Sequence, residues 1–263
     1  YGLFYTILAF VGIFVPLKDL GLTDTLIKFI PEFLFKKNVK NIKNIFVFIL
    51  FAQIAASLII SIPLIIFSEY ISLTYFGTAE ATLPFIIVVL SFVFSIFITI
   101  IRATFQGFGS MVSFALVEPL RILISLVVIV SLIWMGVAGA SIGYLTASIV
   151  LPLILFCVLK KRYQFLKEKA VADVVLFKKM MLFGFSLMLG GVGATILAYV
   201  DTLVIKSFGT LKDVALYQIA LPTVQLLNIF PSIFSVILLP LTSELWVSNQ
   251  KKKLEDCVSI FLK

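Results

Sequence analysis

Seven apolar runs, each long enough to cross a bilayer as a helix, fill most of this chain, and its basic residues fall almost wholly between every second pair of them. The runs are 1–17, continued by an amphipathic stretch to about 35, then 45–67, 81–101, 112–135, 137–159, 179–205 and 214–241. A hydrocarbon core about 30 Å thick takes about 20 helical residues. In lipid only helices and closed barrels satisfy their backbone polar groups internally, and runs of this length fit the helix. Mean hydropathy is +1.19 and only 13% of residues are charged, about half the share in soluble domains. The expected fold is therefore all-α, a polytopic bundle of about seven transmembrane helices. Its task is moving something across or within a bilayer, or doing chemistry there.

Charge gives the orientation. Lys18, Lys28, Lys36, Lys37, Lys40 and Lys43 follow the first run, and Arg102 and Arg121 flank the connection after the third. Lys160, Lys161, Arg162, Lys167, Lys169, Lys178 and Lys179 crowd the connection after the fifth, and Lys251, Lys252, Lys253 and Lys263 lie in the tail. The alternate connections hold only Lys206 and Lys212, so nineteen of the 21 basic residues share one side. The positive-inside rule makes that side cytoplasmic and the protein a multi-pass resident of the cell membrane. The net charge of +8 is then a topology signal, and no nucleic-acid partner is expected. There is no histidine, and Cys157 and Cys257 both lie on segments placed toward the cytoplasm, where a disulfide is not expected. No metal site and no cofactor are expected. The chain opens at Tyr1-Gly2 already inside an apolar run and stops at Lys263 soon after another begins, as an internal stretch of a longer protein would.

The longest polar insert, KKRYQFLKEKAVADVVLFKK, divides the chain into 1–160, a basic cytoplasmic linker at 161–178, and 179–263. A faint repeat supports two lobes: Gly2-Leu3-Phe4 matches Ala215-Leu216-Tyr217, and Glu32-Phe33-Leu34 matches Glu244-Leu245-Trp246. Both copies enter from outside, which makes the repeat parallel, with the lobes related by an axis along the membrane normal.

Taken in order, several segments resemble one family. The opening YGLFYTILAFVGIFVPLKDLGLTDTLIKFIPEF is similar to the second transmembrane helix of oligosaccharide flippases. Asp201-Thr-Leu-Val-Ile-x-x-Phe-Gly209 resembles the end of their seventh helix, and Val214-Ala-Leu-Tyr-Gln-x-Ala-Leu-Pro222 the start of their eighth. Pro231-Ser-Ile-Phe-Ser-Val-Ile-Leu-Leu-Pro240-x-x-Ser-Glu244 resembles the end of that eighth helix. The chain thus resembles helices two to eight of a polysaccharide or oligosaccharidyl-lipid flippase of the MATE-like exporter superfamily. That resemblance implies 1–160 as an N-terminal lobe lacking its first helix and 179–263 as a truncated C-terminal lobe. It also implies two six-helix lobes forming a V around a central cavity. The implied substrate is an oligosaccharide on a polyprenyl pyrophosphate, flipped from the cytoplasmic leaflet.

Ionisable side chains inside membrane segments are costly and mark function by default. Glu118 and Arg121 are i, i+3 near the cytoplasmic end of the fourth span and share a face. With Arg102 they could form a basic mouth for a pyrophosphate, which the planar guanidinium binds bidentately, or the arginines could snorkel to headgroups while Glu118 neutralises one. Asp201, in the outer part of its helix, could couple transport to H+ or Na+ or hold Lys206 at the interface. Lys28 could face a cavity or simply pair with Asp24 at i, i+4. Gln218, Gln225 and Asn228 form an amide stripe suited to sugar hydroxyls or to helix–helix contact. Gly139-x-x-x-Gly143 reads as a close-packing face, while Gly190, Gly191 and Gly193, and Pro222, Pro231 and Pro240, would loosen their spans. The expected partners are a lipid-linked oligosaccharide, membrane lipid and a coupling ion, with no catalysis. The rivals are a cation-coupled drug antiporter of the same fold and a flippase of lipid-linked peptidoglycan precursors. A membrane-embedded glycosyltransferase or polymerase would need paired carboxylates, histidine or a metal cluster, and no DxD or HExxH motif is present.

Overall fold

The computed structural model describes residues 1–168, 171 and 173–227. The first 35 residues form three helices, α1 (Gly2–Gly12), α2 (Val15–Asp19) and α3 (Leu22–Phe35). Then come α4 (Val39–Ile66), the short α5 (Ser68–Ile71), α6 (Thr82–Gly107), α7 (Met111–Ser131), α8 (Val137–Arg162), α9 (Val174–Phe208) and α10 (Leu211–Leu227). Among the described residues α4, α6, α7, α8 and α9 are long and apolar enough to cross a membrane. The expected first span is interrupted, and the expected span 214–241 is described only as far as Leu227.

Long helices extend beyond the apolar runs because hydropathy locates the lipid, whereas the backbone goes on satisfying itself past it. The connection read as 102–121 shrinks to Phe108–Ser110, turned by Gly109 at φ +70°. Arg102, Glu118 and Arg121 therefore all lie inside helices. Trp134-Met135-Gly136 is a tight turn as expected, with Gly136 at φ +59°.

α6 lies at the centre, packed on α3, α4, α7 and α8. One apolar core joins α3, α4, α6 and α8 through Leu26, Ile30, Ile45, Ile101 and Leu155, and a second joins α1 and α6 through Ile7, Phe85 and Val88. Phe51, Ile59 and Leu197 stay exposed, as lipid-facing side chains do. Gly139 and Gly143 let α7 approach α8, since a Cβ on Gly143 would lie 2.5 Å from Ile129 Cγ1 and 2.9 Å from the Ser125 carbonyl oxygen. The basic connection after α8 is docked: Phe165 is buried against Phe46 and Phe108, and Asn44 Oδ1 accepts the Val171 N–H at 2.7 Å.

The described residues divide into two compact units, the first Tyr1–Ala215 and the second beginning at Leu216. Within the first, α9 packs against α1, α2 and α3. While Gly2 meets the backbone of Leu211 at the start of α10, two glycines make that seam, Gly12 against the ring of Tyr199 and Gly21 against the backbone of Gly184. At the last crossing the chain breaks. Pro16 suits the first turn of α2, and Leu20 and Gly21 then adopt successive left-handed conformations, at φ 54° and 65°. α9 itself runs unbroken through Gly190, Gly191 and Gly193, so these glycines do not interrupt it.

Candidate functional site

One turn of α7 places Glu118 and Arg121 side by side. Arg121 Nε donates to Glu118 Oε1 at 2.9 Å, and its Nη2 donates to the same oxygen. The other oxygen, Oε2, lies 3.8 Å from Nη1 of Arg102 on α6. One carboxylate thus bridges two guanidiniums, and the cluster retains one positive charge. Each cation also covers a ring: the Arg102 guanidinium carbon is 4.5 Å from the Phe114 centroid, and that of Arg121 is 5.1 Å from Tyr144 on α8. Tyr144 stands edge-on to Phe4 of α1, and Tyr199 of α9 lies within electrostatic reach of Tyr144 and Arg121. Four helices besides α7 therefore contribute to the surroundings of Arg121.

The depth of this cluster corrects the expected placement at the helix end. Arg121 is ten residues from either end of α7, or about 15 Å at 1.5 Å per residue. The Arg121 side chain is 23% exposed, and its guanidinium is held by Glu118 on the same helix. Arg102 is five residues from the end of α6 and Glu118 seven from the start of α7. The charges form a ladder rising from the basic end to mid-depth. The Nε of Arg102 is buried and has no hydrogen-bond partner among the described residues, which leaves this guanidinium less satisfied than that of Arg121.

The other expected residues lie apart. Lys28 on α3 does not form the expected pair with Asp24: its Nζ is 3.6 Å from the ring centroid of Phe183 on α9, a cation–π contact. Asp201 is exposed on α9, seven residues from its end. Gln218 and Gln225 both lie on α10, with Gln218 buried and Gln225 exposed. Asn228, Pro231 and Pro240 lie outside the described residues. Among the described residues no group of three acidic, cysteine or histidine side chains could hold a metal.

A second polar cluster was not anticipated as a site. Lys18, counted with the basic residues after the first run but lying in the amphipathic continuation, is only 5% exposed, its Nζ donating to the Phe92 carbonyl at 3.0 Å and to Ser95 Oγ at 2.8 Å on α6. Its neighbour Asp19 accepts from Gln53 Nε2 of α4 at 2.7 Å and from Thr23 Oγ1. The signal was present: Lys18-Asp19 is bracketed by Pro16 and Gly21, and Gln53 is a lone amide in an apolar run. An apolar cavity of about 450 Å³ also opens between α4, α6 and α8, lined by Phe46, Leu50, Phe97, Pro152 and Phe156.

Crossing helices and a charged ladder within them define a multi-pass helical membrane protein with a polar interior. The chain belongs to the polysaccharide biosynthesis protein family, whose pattern it matches over residues 1–246. It is 30% identical, over 271 aligned positions, to an uncharacterized membrane protein of Methanocaldococcus jannaschii. The alignment covers 96% of this chain and 53% of that protein, so the chain spans about half the length of that relative. No solved structure matches it.

Proposed function

We propose that the protein is a transporter and not an enzyme: it moves a polyprenyl-pyrophosphate-linked oligosaccharide from the cytoplasmic to the outer leaflet for surface polysaccharide synthesis. The observation that carries this reading is the ladder Arg102–Glu118–Arg121, two forked cations around one carboxylate at increasing depth. A diphosphate entering from the basic end first meets Arg102, whose donors are incompletely used. It then competes with Glu118 for Arg121. Guanidinium forks suit phosphate oxygens bidentately, and Tyr144 and Tyr199 offer ring faces and hydroxyls to a sugar. Membership of a polysaccharide biosynthesis family supports the same substrate class.

In this reading the basic end is cytoplasmic and the lobes are 1–160 and 179–263, joined by 161–178. The glycine seam between α1–α3 and α9 is then the contact between lobes that opens and closes in alternating access, in a MATE-like arrangement. H+ or Na+ supplies the drive, and Gln218, Gln225 and Asn228 contribute amides to the sugar path. The net positive ladder favours an anionic substrate over the cationic substrates of a drug antiporter.

The test is export of surface polysaccharide in cells lacking their own flippase, supplied with the full-length protein or its Arg121→Ala variant. Restored glycan with the parent, and at least a tenfold loss with correctly inserted Arg121→Ala, is expected; undiminished export by the variant refutes the role of the ladder. No rescue by well-inserted parent, together with drug efflux, refutes the substrate.

A further inference from the structure

The polar cluster at the break between α2 and α3 has no part in the ladder, and its position is unusual. Gln53 lies fourteen residues from the start of α4 and thirteen from its end, and Ser95 thirteen and twelve residues from the ends of α6. Lys18 and Asp19, which bond to them, thus sit at the mid-depth of the two long helices. Ionisable groups there carry a large desolvation cost and persist where they do something.

Their bonding is unusual too. The two charges are sequence neighbours, yet they form no ion pair within 4 Å, since the only such pairs among the described residues are elsewhere. Lys18 is held by neutral acceptors on α6, the Phe92 carbonyl and Ser95 Oγ, with its ammonium 4.2 Å from the Phe92 centroid. Asp19 is held by neutral donors, the amide of Gln53 on α4 and the hydroxyl of Thr23 on α3. Gln53 Nε2 also reaches the Asp19 backbone oxygen at 3.2 Å, so one amide ties both the side chain and the main chain at the break. The carboxylate is therefore the joint between α2, α3 and α4, while the lysine ties α2 to α6.

We infer that Asp19 is a proton-binding site of this protein, with Lys18 as its neighbouring cation and the α2–α3 break as the element that responds. The titratable groups around it are few. Lys18 is on the same helix, and Asp24 on α3 is the other carboxylate near enough to act on it. α4 presents only the neutral Gln53; α6 has no titratable side chain from Thr82 to Ile101, and α9 none from Met180 to Ala198. A proton arriving at Asp19 leaves Lys18 as an uncompensated charge and converts the Gln53 contact from a charge-assisted bond to a neutral one. The second change weakens the tie between α2 and α4, and the first acts on the tie between α2 and α6. The backbone able to take up the movement is next in sequence, in the left-handed pair Leu20–Gly21.

This assigns the coupling ion as a proton and places it at Asp19 instead of the exposed Asp201. It depends on the transporter reading for its purpose, but proton binding itself is measurable with no substrate present. The experiment is infrared difference spectroscopy of the full-length protein in lipid vesicles, stepping from mildly alkaline to mildly acidic pH and reading the protonated-carboxyl stretch. A band that appears on acidification, is lost in Asp19→Asn, and survives in both Asp24→Asn and Asp201→Asn is expected. The Gln53→Leu variant keeps the acid but removes its donor, so the band should move to higher wavenumber; this arm holds even where Asp19→Asn fails to insert. A band unchanged in Asp19→Asn, lost in Asp201→Asn, or unmoved in Gln53→Leu overturns the assignment. These results are separate from export: a proton band without glycan export refutes the transport reading and leaves the site standing.

Discussion

Replacing Gly21 with alanine tests the broken segment and its seam with α9 together. Two costs arise at this position. At φ +65° an L side chain sits in the left-handed region, which costs roughly 1–2 kcal/mol. The new Cβ would also lie 2.8 Å from the Gly184 carbonyl carbon and 2.9 Å from the Met188 nitrogen, and closer still to the Gly184 oxygen. All three atoms are backbone, so no flexible side chain can yield and the helices must separate; overpacking of this kind costs about 1–3 kcal/mol. The expected loss is therefore roughly 2–5 kcal/mol in all. The structure supplies controls for each part. Gly77 has φ +76° but nothing within 4 Å of its Cβ position, so Gly77→Ala isolates the backbone cost. Gly184 lies inside a regular helix with the Leu20 oxygen 2.7 Å from its Cβ position, so Gly184→Ala isolates the contact. Unfolding midpoints of the three detergent-purified variants, set against the parent, read the difference. Gly21→Ala no more damaging than Gly77→Ala, or a harmless Gly184→Ala, refutes the close backbone crossing.

Two further substitutions test the packing and one connection. Gly143→Leu forces Ile129 and the Ser125 backbone away and should lower stability by about 1–3 kcal/mol, whereas Gly190→Ala, with no atom within 4 Å of its Cβ position, should raise it by about 0.5–1 kcal/mol through helix propensity; equal effects in the same unfolding assay would contradict the packing described. At the start of α10, the Thr210 N–H and hydroxyl both donate to Asp213 Oδ2, at 2.8 and 2.7 Å, and these bonds hold the Asp213 carboxyl below the usual carboxylate range. A depressed value means that the cap is fully present above the ordinary aspartate range and lost as pH falls through the lowered one. Rate-corrected hydrogen exchange of the first turn of α10 should stay protected until pH falls below that range, and Asp213→Ala should remove the protection at every pH; unchanged protection in the variant refutes the cap.

The crossing helices were legible because lipid imposes one strong rule, that a spanning backbone satisfies itself and presents apolar side chains. That rule locates the apolar runs near 45–67, 81–101, 112–135 and 137–159 to within a few residues of the apolar parts of α4, α6, α7 and α8. It does not locate helix ends, because α6 continues past the apolar run through Arg102 to Gly107. Glu118 and Arg121 were legible as a pair from spacing alone, since i, i+3 on a helix fixes a shared face; their position along the helix was not, because it depends on where the helix starts. The Asp24–Lys28 expectation failed for a related reason. Spacing permits that pair, but the ring of Phe183 comes from a helix some 150 positions away in sequence, and no local pattern announces it.

Lys18 shows how far counting charges goes. Lysine between an apolar run and a basic cluster reads as a loop residue, and the topology it supports is unchanged when it is removed from the count. What moved it into the bundle is the break. Had residues 1–35 formed one continuous helix, Lys18 and Asp19 would have followed its regular rotation; the left-handed Leu20–Gly21 pair redirects the chain there, and the Gly21–Gly184 crossing presses that point onto α9. The carbonyl and hydroxyl of α6 and the amide of α4 receive the two charges at that same level. The left-handed Leu20–Gly21 pair is thus tied to ionisable groups by shared position. In the proton-binding reading, a change of charge at Asp19 acts on the Leu20–Gly21 pair through these shared contacts.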